Sequence, residues 1–197
     1  MRPLIVDVLR HGETELGQHR LVGCSDVALH DRGWIQMWRQ VISLPGSGKP
    51  SCVISSPLRR CASFAAMYAR HANIPLQLDA GWAEMDFGAW ERCDVRRLQQ
   101  CADFHRFYAE PDKVTPPGGE SFPVFRKRVL SALDRLMASR SEHVLLVTHG
   151  GVMRLLLCQV LRLDAKRLSS FHLPHAAHAR LEFRAGQGML KTLNPLP

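Results

Sequence analysis

No apolar run in this 197-residue chain reaches the roughly 20 residues that a membrane-crossing helix needs. The opening MRPLIVDVL lacks the charged start, apolar middle and small-residue cleavage site of a secretion signal. It reads as a first strand, and a cytoplasmic location is expected. The cysteines at 24, 52, 61, 93, 101 and 158 form no C-x-x-C pair and no regular framework, so reduced thiols are expected rather than disulfides or a metal site. Six positions after them stand His30, Leu58, Met67, Gln99, Phe107 and Asp164. None is arginine, which excludes the C-x5-R chemistry of cysteine-dependent phosphatases. PGSGKPS resembles a phosphate-binding loop, but Ser43 and Pro50 stand where G-x4-G-K-[ST] needs glycine and Ser or Thr. There is no EF-hand loop, no H-E-x-x-H, no repeat and no low-complexity tract. His172, His175 and His178 are spaced three apart, but Pro174 breaks any helix there and no carboxylate or thiolate accompanies them. No metal and no cofactor are expected.

What is present is ordinary in bulk and uneven in charge. Hydrophobic residues make up 46% and charged residues 22%, enough to bury a core in one domain spanning residues 1–197. The formal net charge of +8 favours anionic partners. Arginine is spread along the chain, with no lysine run and no aromatic RNA-binding signature. A small phosphorylated substrate is the expected partner, not nucleic acid or a membrane. The oligomeric state is left at monomer or homodimer.

Strand and helix patterns alternate. PLIVDVL (3–9) reads as a buried strand. DRGWIQMWRQVISL puts Trp34, Met37, Trp38 and Val41 on one helical stripe, and PGSGKP (45–50) is a loop. CVISS (52–56) is a second strand, followed by a helix to about residue 71 with Pro57 in its first turn. IPLQLD (74–79) is a third strand. Residues 80–120 look irregular, with short helices near 91–99 and 101–109. Ser121 caps a helix that carries Pro123 in its first turn and runs to about 139. HVLLVTH (143–149) is the strongest strand pattern, and GGVMRLLLCQVL follows it as a helix. HARLEFRAGQGMLKTL alternates like a hairpin around Gly186 and Gly188. The alternation predicts an α/β fold: a three-layer α/β/α sandwich with a mostly parallel central sheet.

Three of these strands end in reactive residues. The first delivers Arg10 and His11, the second leads to Arg59 and Arg60, and the one near 143 delivers His149 and Gly150. In parallel sheets such strand ends share a crevice. Two guanidinium forks and a helix start with free N–H groups suit a dianionic phosphate. A neutral imidazole there is a nucleophile toward phosphorus and can form a phosphohistidine. A carboxyl must also serve the leaving oxygen and then the attacking water. Spacing alone leaves Glu84, Asp86, Glu91 and Glu13 as candidates.

Five motifs occur in order. Arg10-His11-Gly12-Glu13-Thr14 is R-H-G-E-T. Ser56-Pro57-Leu58-Arg59-Arg60-Cys61 matches S-P-L-x-R-[AC]. Glu84 with Phe87-Gly88-Ala89-Trp90-Glu91 matches L-x-E-x-x-F-G-x-W-E. Pro117 to Ser121 matches P-x-G-E-S, and Thr148 to Arg154 is a complete T-H-G-G-V-x-R. This series resembles the histidine phosphatase superfamily, which contains the cofactor-dependent phosphoglycerate mutases. The resemblance implies a phosphoglycerate mutase-like fold and hydrolysis of a phosphomonoester. It makes His11 the nucleophile, Glu84 the proton donor and His149 the second catalytic histidine. Arg10, Arg60 and Gly150 would bind the phosphoryl group, while Glu13, Thr14 and Gly17 are candidates for contacts to the rest of the substrate. Within the superfamily, F-G-x-W-E followed by P-P-G-G-E-S looks most like alpha-ribazole phosphatases of cobalamin assembly. Small mutases and broad-specificity sugar or nucleotide phosphatases share parts of it. Gly17 replaces a common asparagine, Phe64 a threonine and Trp82 a leucine. The first of these bears on the leaving group, and none touches the phosphate-binding set. A non-catalytic anion-binding module is opposed by the intact His11, Glu84 and His149.

Overall fold

The computed structural model describes residues 3–44 and 49–194, so most of the PGSGKP segment lies outside the described residues. Six strands form one sheet: β1 (Leu4–Arg10), β2 (Cys52–Ser55), β3 (Leu76–Leu78), β4 (His143–Thr148), β5 (His178–Arg184) and β6 (Gln187–Asn194). Their order across the sheet is β3-β2-β4-β1-β5-β6. β1, β2, β3 and β4 run parallel. β5 lies antiparallel to β1, and β6 returns beside β5.

The helices are α1 (Asp31–Ile42), α2 (Arg59–Ala72), α3 (Val95–Leu98), α4 (Ala102–Ala109), α5 (Phe122–Ala138) and α6 (Gly150–Leu161). Every residue of β4 is buried, as an apolar strand with both faces covered requires. On one face Val8, Ile54 and Leu146 pack with Val129 and Leu133 of α5 and Val152 and Met153 of α6. On the other, Leu9, Val53, Leu145 and Val147 pack with Met37 and Val41 of α1 and Phe64 of α2. The result is the expected three-layer α/β/α sandwich. Inside the sheet lies the charged Asp7, whose carboxylate accepts from Nε2 of His143 at 2.7 Å, Nε2 of His178 at 2.8 Å and the Arg180 guanidinium at 2.8 Å.

The structure moves several expected boundaries. α2 begins at Arg59 with an extended Leu58 as its cap, so Pro57 lies outside the helix. Leu58 N–H donates to Ser56 Oγ at 3.3 Å, and this turn holds Ser56 where His149 can reach it. Ser121 occupies the cap position of α5, yet its side chain makes no capping hydrogen bond. The helix expected near 91–99 shrinks to Val95–Leu98. Leu21 and residues 92–93 pair through Arg92 N–H to Leu21 O at 2.7 Å and Leu21 N–H to Cys93 O at 3.0 Å, which commits that backbone to a long-range bridge. In the last hairpin the turn is Ala185-Gly186, both at positive φ, and Gly188 lies within β6.

Candidate active site

β1 ends at the centre of the sheet, and its neighbours fix the residues that follow. His11 N–H donates to Thr148 O of β4 at 2.9 Å, and Ala176 N–H donates to His11 O at 3.0 Å. The imidazole Nδ1 lies 2.8 Å from the Gly12 carbonyl oxygen. A carbonyl only accepts, so Nδ1 carries the hydrogen and Nε2 keeps its lone pair. Burial first, then the Arg60 and Arg10 charges, hold the ring well below the usual imidazole range. A neutral, oriented imidazole results, which is the form that can attack phosphorus.

His149 caps α6 in an extended conformation. Its Nε2 lies 2.7 Å from Ser56 Oγ, at the end of β2. The two imidazole rings meet edge-on with centroids 5.3 Å apart. Burial, with Arg60 next, lowers His149 as well. β2, β4 and β1 are parallel neighbours, so the three strand ends lie side by side.

Arg60 is completely buried in the first turn of α2. Its two terminal nitrogens donate to Ser25 O at 2.7 Å and Gly23 O at 2.5 Å. Those carbonyls are presented by Glu91, whose carboxylate accepts N–H groups from Gly23, Cys24, Ser25 and Phe87 at 3.0–3.2 Å. Arg10 donates to Leu173 O, and burial, with Arg154 close by, lowers it to about 10. Nε of Arg10 and Nε of Arg60 are both buried without an acceptor. An unpaired buried N–H donor is costly, and two of them beside an imidazole are matched by an anion.

Glu84 comes from the loop after the Ala80–Trp82 turn. Its Oε2 accepts from Gly151 N–H at 2.8 Å, which places the carboxylate at the positive end of α6. A Cβ on Gly151 would stand 2.4 Å from Glu84 Oε1, so only glycine lets the acid approach that closely. From behind, Arg128 donates to Ala83 O at 2.7 Å and Glu84 O at 2.8 Å. Arg128 is itself gripped by both oxygens of Glu120 at 2.8 and 2.9 Å. Glu120 belongs to the P-x-G-E-S segment, so that motif acts on Glu84 through one arginine.

A cavity of about 250 Å³ opens over these groups, with Arg10, His11, Thr14, Gly17, Glu84 and Gly150 in its wall. Arg60 and His149 are not among its wall residues; the His149 ring lies 5.3 Å from that of His11, and the Arg60 charge acts on the same imidazole. Glu13 does not line it either. Its carboxylate faces Gln18 at 3.3 Å and Arg32 at 4.0 Å. Two wall residues escaped the residue-level reading. Arg154 lies one helical turn beyond Gly150, and a Cβ on Gly150 would stand 3.1 Å from its guanidinium. The four-residue spacing within α6 was the available signal. His175 packs 5.6 Å from the His11 ring, and burial beside Arg10 lowers it to about 3. Nothing local in the sequence marks it. His178 parts from His172 and His175, since it serves Asp7 while the other two line one groove. Among the described residues, Cys24, Asp86 and Glu91 bring three ligand-type atoms within 4.8 Å of one another. Glu91 is already committed to four N–H groups, so that trio is read as a loop staple.

A family model described as histidine phosphatase superfamily (branch 1) matches residues 6–195. The chain belongs to the histidine phosphatase superfamily. Among relatives, the "Bifunctional protein Rv2228c" of Mycobacterium tuberculosis is 33% identical over 191 residues, covering 95% of this chain and 52% of that protein. The chain thus spans about half the length of the mycobacterial relatives it matches. An adenosylcobalamin/alpha-ribazole phosphatase of Salmonella typhimurium is 28% identical, with 95% and 94% of the two chains covered. A solved mycobacterial glucosyl-3-phosphoglycerate phosphatase shares the fold with a TM-score of 0.84, at 24% identity and 99% and 100% coverage. The membership and the sheet architecture expected from the motifs are both borne out.

Proposed function

We propose that the chain is a phosphomonoester hydrolase working through a phosphohistidine, with alpha-ribazole 5′-phosphate as its substrate. The observation that supports the chemistry best is the pairing of a neutral His11, its Nε2 free, with two acceptor-less buried guanidinium N–H groups. His11 Nε2 attacks phosphorus and the bond to the ester oxygen breaks. Arg10, Arg60, His149 and the α6 backbone at Gly150 hold the phosphoryl oxygens. Glu84 gives a proton to the departing oxygen. A water then attacks phosphorus, Glu84 takes its proton, the P–Nε2 bond breaks, and His11 is released with inorganic phosphate. No step calls for a metal.

The leaving group would enter a chamber beside Glu84 whose wall includes Phe87, Phe107, Tyr108, Phe122 and Phe125. Such a wall suits a heteroaromatic base on a sugar phosphate and offers little to a short polar acid. The relative from Salmonella typhimurium, named for alpha-ribazole, supports the same choice.

The test is a side-by-side assay of alpha-ribazole 5′-phosphate, 3-phosphoglycerate with its bisphosphate primer, and an aryl phosphate. The highest kcat/KM is expected for the ribazole. A preference for phosphoglycerate, or phosphoryl exchange in place of release, overturns the substrate assignment. No turnover of any of the three overturns the hydrolase.

A further inference from the structure

Beside the cavity, and sharing Arg10, Gln18, Val95, Arg154 and His175 with its wall, lies a groove of about 1120 Å³ lined on one side by α1. Arg32, Ile35, Gln36 and Arg39 face this groove from the helix. They are spaced 3, 1 and 3 residues apart, which is one continuous face of a helix. His172 and His175 close the opposite side. No aspartate or glutamate lines it. Arg39 and Arg154 form no ion pair among the described residues, and Arg32 meets only Glu13, at 4.0 Å. Four guanidinium groups thus line one channel that begins at the phosphoryl site.

This concentration exceeds what one phosphate needs. Arg10 already brings a buried, acceptor-less Nε to the wall of the first site. Among the described residues Arg154 bonds through its Nε to Phe171 O at 3.2 Å, and it lines the groove. Arg32 and Arg39 are seven residues apart, about 10 Å along the helix, so they extend the positive field well past the reacting atoms. Phosphate and carboxylate are the groups a guanidinium fork matches.

We propose that this groove is a second anion site, which binds a phosphate or carboxylate carried by the leaving group of the substrate. The inference rests on the hydrolase reading and adds to it. The aromatic chamber takes an apolar part of the leaving group, and the groove takes a second negative charge on another arm. Alpha-ribazole 5′-phosphate itself fills only the first, so the groove would favour a derivative of it that carries a further phosphate or carboxylate over the nucleotide alone.

The test uses alkanediol bisphosphates from three to eight carbons, each compared with the monophosphate of the same diol. Binding is measured by calorimetry on the His11→Ala protein, so that neither ligand is consumed. At least one chain length is expected to bind about tenfold tighter than its monophosphate, as several partly exposed arginine contacts together supply. The preference should shrink with added salt and disappear when Arg32→Gln and Arg39→Gln are introduced together. A ratio of about twofold or less at every length, which two equivalent ends alone would give, overturns the proposal. So does a preference that survives the double substitution. Turnover of 4-nitrophenyl phosphate by the unsubstituted chain reports on the hydrolase separately. Its absence beside an intact bisphosphate preference would sink the hydrolase and leave the groove standing.

Discussion

Gly151→Ala isolates the proposed acid without touching it. The new Cβ would stand 2.4 Å from Glu84 Oε1 and 3.1 Å from its carboxyl carbon. The helix start cannot yield easily, because it follows directly on Thr148, whose carbonyl is held by His11 N–H. The carboxylate must therefore swing out and give up the 2.8 Å bond from Gly151 N–H. A hydrogen bond to a charged group contributes about 1.5–3 kcal/mol, so the productive placement of Glu84 becomes about 10- to 150-fold rarer. The loss should depend on the leaving group. An alkyl phosphate needs its oxygen protonated as it departs, whereas 4-nitrophenolate leaves without help. We expect kcat/KM for an alkyl phosphate to fall by about 10- to 150-fold, and for 4-nitrophenyl phosphate by no more than about threefold. kcat/KM is the right quantity because it reports the first phosphoryl transfer and not the later hydrolysis. A thermal melt confirms that the variant is folded. Equal losses on both substrates, or none, would refute Glu84 as proton donor.

Three further expectations concern other parts of the site. His11→Ala should lower kcat by at least about 10⁴-fold and abolish acid-labile, base-stable phosphate labelling under rapid quench; retained labelling would place the nucleophile elsewhere. His11, His149 and His175 are all held below the ordinary imidazole value of 6.5, so below that pH the unfolded chain takes up protons that the folded chain refuses. Stability is then full above about pH 6.5 and falls as pH drops beneath it, by up to about 1.4 kcal/mol per unit per group; a melting temperature that stays flat from pH 7 to 5 would contradict this. Glu120→Gln loosens the grip on Arg128 and should reduce kcat about 3- to 10-fold with little change in KM, while Arg128→Ala strands the Ala83 and Glu84 carbonyls and should cost about 2–4 kcal/mol in chemical denaturation.

Local pattern carried much of the fold. β4 and α6 were legible because an apolar β-branched run and a 3.6-residue stripe are decided within a few neighbouring residues. The region from 80 to 120 was not, and the reason is long-range. Glu91 stabilises a turn 66–68 positions away, and Arg92 pairs with Leu21. No window of sequence contains both partners. The same contacts explain why spacing could not choose among four carboxylates. Asp86 caps Gly88 N–H at 2.8 Å, Glu91 staples a loop, Glu13 turns to Arg32, and Glu84 is the one in the cavity wall. The motif match singled out Glu84, but the motif has no means of saying that Gly151 makes room for it. His175 and Arg39 were invisible for the same reason, since their value lies in what stands across the channel.

β1 carries the reactive histidine, and both of its neighbours in the sheet, β4 and β5, come from beyond residue 142. During synthesis the strand must wait for more than a hundred later residues before either edge is covered. A ribosome-bound fragment ending near α5 would hold Arg10 and His11 on a bare strand, without the Thr148 and Ala176 ties that fix the imidazole. Catalytic competence should therefore arrive late and all at once, as the last parallel strand docks. Truncated translation products would carry the R-H-G-E-T signature and no activity.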